Sequence, residues 1–283
     1  MKKPSIVILS LLICLITASD DLRGQLVSFK NIKWTREKVH KGLIWKSSHT
    51  NLPGQEAQNV NILLVNTRKR EISLLYNPGK NLPVNEQVES TNALAAINGG
   101  FFNIKEGGSV TYIRTEGKIQ ESDTALKWSR NINLNGSLLI DLNNSVFIEE
   151  SHSNEWYDNH TDFQDVLVTG PLLLQDKQKA VLPGTSLVTL KHPRTAIGMR
   201  GKSRILLVTV DGRTEFAAGM TLEELTNLML SLRCKDAVNL DGGGSTTMWI
   251  RKNPFNGIVN MPCDNRKFDH EGARAVSNII IVQ

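Results

Sequence analysis

The chain has 283 residues, 40% of them hydrophobic and 22% charged, with a formal net charge of +5. This is ordinary globular composition, enough for one large domain or two small ones, and it excludes an intrinsically disordered protein. The charge is too small to point to nucleic acid, and no Lys/Arg block interleaved with aromatics occurs.

At the amino end, Lys2 and Lys3 precede an uncharged apolar run, Ile6 to Ala18. A spanning helix needs about 20 apolar residues, so this shorter run reads as an export signal, residues 1–18, cut after Ala18. Ile16 stands where a small residue is preferred at such a site. Cys14 offers lipid anchoring as an alternative, disfavoured by the bulky Ile13 before it. The expectation is an exported protein, periplasmic or secreted, with no membrane span after processing. Loss of Lys2 and Lys3 lowers the charge to about +3. Cys234 and Cys263 remain, either as a disulfide in an oxidising compartment or as two buried thiols.

Residues 19–53 are polar and weakly patterned, with Trp34 and Trp45 as large anchors, and read as an extension packed on a domain spanning 54–283. Strand-like runs follow at 60–66, 71–77, 93–98, 110–115, 136–142 and 145–150, several separated by turns such as Asn77-Pro78-Gly79 and Asn143-Asn144. The polar, aromatic stretch 154–165 reads as a surface loop. Further strands are expected at 194–200, 204–210, 236–241, 246–250 and 275–282. Between two of them, Thr221 and Glu224 have the capping-box spacing, and Leu222, Leu225, Leu228, Met229 and Leu232 recur on one helical face. The fold class is therefore mixed α/β (α+β), with many short strands. Strand 204–210, helix 221–233 and strand 236–240 are expected to form a strand–helix–strand unit with parallel strands.

Asp211 ends one strand of that unit and Asp241 ends the other. Parallel neighbours would deliver both carboxylates to one sheet edge, where open α/β sheets bind ligands. Alone, Asp211-Gly212 would be read as a turn. Asp241 is followed by Gly242, Gly243 and Gly244, whose bare backbone can approach an anion, and by the hydroxyls of Ser245, Thr246 and Thr247. No nucleotide-binding loop and no Gly-x-Ser-x-Gly elbow is present. A second turn, Asn98-Gly99-Gly100, carries an amide suited to a sugar hydroxyl or acetamido group, or else is a hairpin with Phe101 and Phe102 in the core. Arg194 has the planar guanidinium that suits phosphate, though taken alone a surface role is the better reading. The six histidines show no metal-ligand spacing.

Taken together, AAINGGFFN, TGPLLL, HPRTAIG, VTVDGR, the TLEEL helix, NLDGGGSTTM and RAVSNIIIV resemble the phosphodiester glycosidase family, in the family's order, from about Ala95 to Val282. The resemblance implies catalytic residues Asp211 and Asp241. It implies a substrate-binding set of Asn98, Gly99, Gly100, Arg194, Arg213, Gly242, Gly243, Ser245, Thr246, Arg274 and Asn278, with Gly170 and Pro171 matching the family's turn. Glu224 is left to its capping role. The implied reaction is hydrolysis of the sugar C1–O bond in an N-acetylglucosamine-1-phosphodiester-like substrate, without cofactor or metal. The implied partner is a glycan or sugar phosphate, and nucleic acid is not expected. Two other readings stay open: a metal-dependent phosphodiesterase using the same aspartates, and a non-catalytic envelope glycan-binding protein.

Overall fold

The structure is a computed structural model that describes residues 32–50, 56–121 and 131–283. The expected leader, 1–18, and the alternative at Cys14 lie outside the described residues.

Among the described residues, three sheets form the fold. The largest has eight strands in the order Thr35–His40, Leu43–Thr50, Gln58–Asn66, Arg204–Val210, Arg194–Met199, Asp236–Asn239, Leu172–Gln175 and Gln178–Lys179. A five-stranded sheet runs Lys118–Glu121, Ile113–Thr115, Phe163–Thr169, Gly136–Asp141, Val146–Glu150. A four-stranded sheet runs Met248–Ile250, Ala95–Asn98, Asn278–Val282, Ile72–Tyr76.

Period-two alternation assigns each face. In the strand Arg204–Val210, Ile205 and Leu207 point into a core shared by all three sheets, beside Ile97, Ile280, Leu138 and Leu167. Leu206, Val208 and Val210 point the other way, onto Leu222, Leu225, Leu228 and Met229 of the helix Leu222–Ser231. Each fully buried Leu or Ile contributes about 1.5–3 kcal/mol, so this double-sided packing fixes the strand's register. The helix starts as its sequence predicts: the Thr221 hydroxyl accepts from the Glu224 amide at 3.1 Å, and Glu224 accepts from the Thr221 amide at 2.8 Å.

The parallel unit is corrected. Every pairing among the described strands is antiparallel. Strand Arg194–Met199 inserts between Arg204–Val210 and Asp236–Asn239 and opposes both. The helical crossover is long enough to pass over one strand, which the local pattern does not reveal. The two outer strands still run in the same direction, about 10 Å apart at two strand spacings. Val210 pairs with Arg194 and Asn239 with Ala196, so Asp211 and Asp241 leave at the same edge.

Two other expectations change. Residues 35–50 are a hairpin extending the large sheet, its inner strand paired with Gln58–Asn66 along its whole length. The expected loop 154–165 contains a helix, Asn154–Asn159, capped by Ser153, and the first residues of a strand. Trp156 there stacks between His152 and His160.

Candidate active site

The polar end of the shared core is organised by Asn98. Its Oδ1 accepts from the Thr195 hydroxyl at 2.7 Å and the Thr247 amide at 3.1 Å, and its Nδ2 donates to the Asp241 carbonyl at 2.7 Å. The Asp241 amide donates to the Gly99 carbonyl at 3.0 Å. Asn278 completes this hub: its carbonyl accepts from Gly99, and its Oδ1 accepts from the Gly100 amide at 2.7 Å. A Cβ on Gly99 would overlap Asn278, and one on Gly100 would press on Leu167 at 2.9 Å. Both asparagines are buried. Asn98 ties the four-stranded sheet to the large one through Thr195 and Asp241, while Asn278 fastens the Asn98-Gly99-Gly100 turn within its own sheet, and the amide atoms of both have partners inside the protein. Phe101 and Phe102 are in the core, as the hairpin reading allows.

Arg194 is similarly committed. It is 1% exposed, and its Nε and Nη2 donate to the carbonyls of Met220, Leu187 and Leu190 at 2.7–2.8 Å. Burial, followed by the charge of Arg213, brings it down to about 10. With its Nε and Nη2 held by carbonyls, Arg194 is placed as a strut between its strand and the segments carrying Leu187, Leu190 and Met220. Asp211, also 1% exposed, accepts from Asn260 Nδ2 and Asn59 Nδ2, each at 2.7 Å, and from the Met261 amide at 2.9 Å. Burial pushes it up to about 7 against the pull of these donors.

Asp241 is the more open carboxylate, intermediate in exposure. Its Oδ1 accepts from the Gly242 amide at 3.0 Å. Residues Gly243–Ser245 form a single 3-10 turn beyond it. Gly243 has φ +62°, and a Cβ there would meet the Arg213 guanidinium at 3.0 Å. The next glycine, Gly244, lies under the ion pair of Arg274 and Asp264, where a side chain would collide with both. Arg274 holds Asp264 through two bonds of 2.7 Å. The glycines thus let two cations lie directly on the loop, a stricter requirement than a flexible turn. Gly170 and Pro171 join through a cis peptide bond, and the Gly170 carbonyl accepts from Asn239 in the neighbouring strand at 2.8 Å.

Burial raises Asp241 to about 6, opposed by the Ser245 hydroxyl, the Gly242 amide, Arg274 and Arg213. The buried hydroxyls of Ser245, Thr246 and Thr247 have no hydrogen-bond partner of good geometry. Buried polar atoms without partners are unusual in a folded interior. His192 Nδ1 lies 3.3 Å from Arg213 Nη2. Arginine only donates, so Nδ1 accepts and the imidazole proton sits on Nε2. Burial and the charges of Arg194 and Arg213 hold His192 below the usual histidine range.

Asn59, Asn260 and Asp264 lie outside the motifs, and His192, which opens HPRTAIG, is not among the expected site residues. Asn260 carries a faint signal, a polar residue inside an apolar run, whereas Asn59 follows Gln58 ahead of the run 60–66 and carries none. Asp264 carries none. Cys234 and Cys263 are free, buried thiols, and Cys263 lies beside Arg213.

The site's residues fall within a recognised sequence family: residues 91–283 match the phosphodiester glycosidase family. The SPbeta prophage-derived protein YomE of Bacillus subtilis is 39% identical over 71 residues, 25% of this chain and 11% of its own length. The N-acetylglucosamine-1-phosphodiester alpha-N-acetylglucosaminidase of Bos taurus is 27% identical over 179 residues, 58% of this chain and 32% of the relative. The chain therefore spans about a third or less of the length of these curated relatives. In three dimensions, the catalytic domain of the zebrafish enzyme of that name, auto-inhibited by its pro-peptide, matches with a TM-score of 0.70 at 21% identity. That match covers 89% of this chain and 87% of the zebrafish chain, and it establishes a shared fold. With well over half of its length matched, the chain belongs to the phosphodiester glycosidase family.

Proposed function

We propose that the protein is an exported hydrolase that cleaves the C1–O bond of a sugar-1-phosphodiester, releasing sugar and a phosphomonoester. One observation carries this reading. A half-buried carboxylate, Asp241, lies against a glycine loop on which two guanidinium groups, Arg213 and Arg274, converge. The bovine relative's name supports an N-acetylglucosamine-type sugar. The basic start and short apolar run of the sequence support export, and among the described residues no helix is long and apolar enough to cross a membrane.

The chemistry follows from the leaving group. A phosphate monoester leaves with its charge already delocalised, so it needs charge neutralisation more than a proton. Arg213, Arg274 and the hydroxyls of Ser245 and Thr246 are placed to supply that. Asp241, ionised, stabilises positive charge developing at C1 and orients water. The water oxygen adds to C1 as the C1–O bond breaks, its proton passes to Asp241 or solvent, and the bond's electron pair leaves with the phosphate. Asp211 holds Met261 and Asn260 at the site's edge and acts as a positioning residue. The buried hub of Asn98, Gly99, Gly100 and Asn278 fixes the backbone on which Asp241 rides.

The same donors weigh against a metal-dependent phosphodiesterase, because two fixed cations beside Asp241 repel a third. Hydrolysis in isotopically heavy water tests the assignment. Heavy oxygen in the released sugar is expected; heavy oxygen in the phosphate, with loss of activity on chelation, overturns it. Ligand binding without turnover would leave the protein a glycan binder.

A further inference from the structure

Away from Asp241, the segment Phe255–Gly257 forms a wall between two depressions of about 540 and 300 Å³. These volumes approach or fall within the usual range of small-molecule sites, about 300–1,000 Å³. Asn85 and Asn256 line both. Phe255 is 63% exposed and stacks on His270, ring centroids 4.3 Å apart and 18° from parallel. An exposed phenylalanine is an unfavourable surface residue, and this one also sits at φ +57°, followed by Asn256 at φ +54°. Left-handed backbone at a bulky residue persists only where the surroundings impose it, and such residues cluster at ligand clamps. Here the Trp249 indole donates to the Asn256 carbonyl at 2.8 Å and pins the turn.

Part of the polar lining is free. Among the described residues, the side-chain amides of Asn85 and Asn256 and the carboxylates of Glu86 and Glu271 have no hydrogen-bond partner in the structure. An open aromatic face beside amides that both donate and accept matches an amphipathic ring bearing hydroxyls. Glu86, Glu89 and Glu271 bring three carboxylates to the lining against one guanidinium, Arg251, whose Nε and Nη2 are held by the carbonyls of Ala93 and Thr91. A hydrogen-bond path links the groove's lining to the candidate site: His270 Nδ1 bonds the Asn260 carbonyl at 2.8 Å, and Asn260 Nδ2 bonds Asp211 at 2.7 Å.

We infer that this groove binds an uncharged pyranose unit of an oligosaccharide, stacked on Phe255 and held by Asn85 and Asn256. The glycan acted upon thus extends past the phosphodiester. The binding claim stands on the groove alone; its link to turnover rests on the function proposed above.

The test titrates the full chain carrying Asp241→Asn with neutral hexasaccharides of glucose and of N-acetylglucosamine, following the Trp249 indole resonance by NMR. Saturable shifts are expected with at least one of them, and Phe255→Ala should weaken binding at least about tenfold while Phe255→Tyr restores it. Phe255 is exposed, so these variants should fold, which a thermal melt checks. No shift with either sugar at millimolar concentration, or equal binding by Phe255→Ala, overturns the inference. If binding is found but no sugar phosphodiester is turned over, the hydrolase reading fails and the groove stands. If turnover is found without binding, the groove fails and the hydrolase reading stands.

Discussion

The hub around Asn98 and the loop from Asp241 to Thr247 are built from similar polar residues, a few ångströms apart, to opposite ends. In the hub each amide atom of Asn98 is matched inside the protein, and Asn278 binds the turn that follows it. On the loop, the hydroxyls of Ser245, Thr246 and Thr247 lack good partners, and two arginines lean over backbone. A satisfied network holds position, whereas an unsatisfied one keeps capacity for a ligand. Polarity near a site is therefore not evidence of contact with substrate; the state of satisfaction is.

The contrast can be broken at either side. Asn98→Ala orphans the Thr195 hydroxyl, the Thr247 amide and the Asp241 carbonyl in a dry interior. About 3 kcal/mol of stability should be lost, read as a lower urea midpoint, with a smaller change in turnover of the folded fraction. A variant of native stability would show that the hub is not structural. Asp241→Asn keeps shape and removes charge, so the unfolding midpoint should hold while turnover falls at least about 100-fold. A folded, active Asp241→Asn protein would move the chemistry to another residue, with Asp211 the first to examine.

The smallest effect concerns pH. Asp241 is raised to about 6 and is proposed to work ionised, so kcat/KM should climb through about pH 6 as its proton leaves. Arg213 favours the ionised form, so Arg213→Gln should move that rise to higher pH as well as lowering the plateau. A falling limb in this range would make Asp241 an acid instead.

Much of this architecture was legible in the sequence because burial imposes period. Ile205, Leu207 and their alternates mark a strand packed on both faces, and Thr221 with Glu224 marks a helix start that the structure reproduces. The strand Thr35–His40 was not legible, since it is an edge strand exposed along nearly its whole length and nothing forces alternation. Nor was the antiparallel insertion of Arg194–Met199, because pairing depends on residues far apart in sequence. Asp241 and its glycines stood out by composition. The roles of Asn98 and Arg194 could not, since an amide or guanidinium has the same identity whether it faces a ligand or a carbonyl.

The strand Asn278–Val282 lies between Ala95–Asn98 and Ile72–Tyr76, and Asn278 bonds Gly100 across 178 positions of chain. Such distant partners meet late, since loop closure precedes any reward from the contact. Until this strand docks, the turn that carries the Asp241 amide has no anchor on that side. The chain should therefore acquire its chemistry in the last step of folding, and partly folded or nicked molecules would be silent rather than indiscriminate.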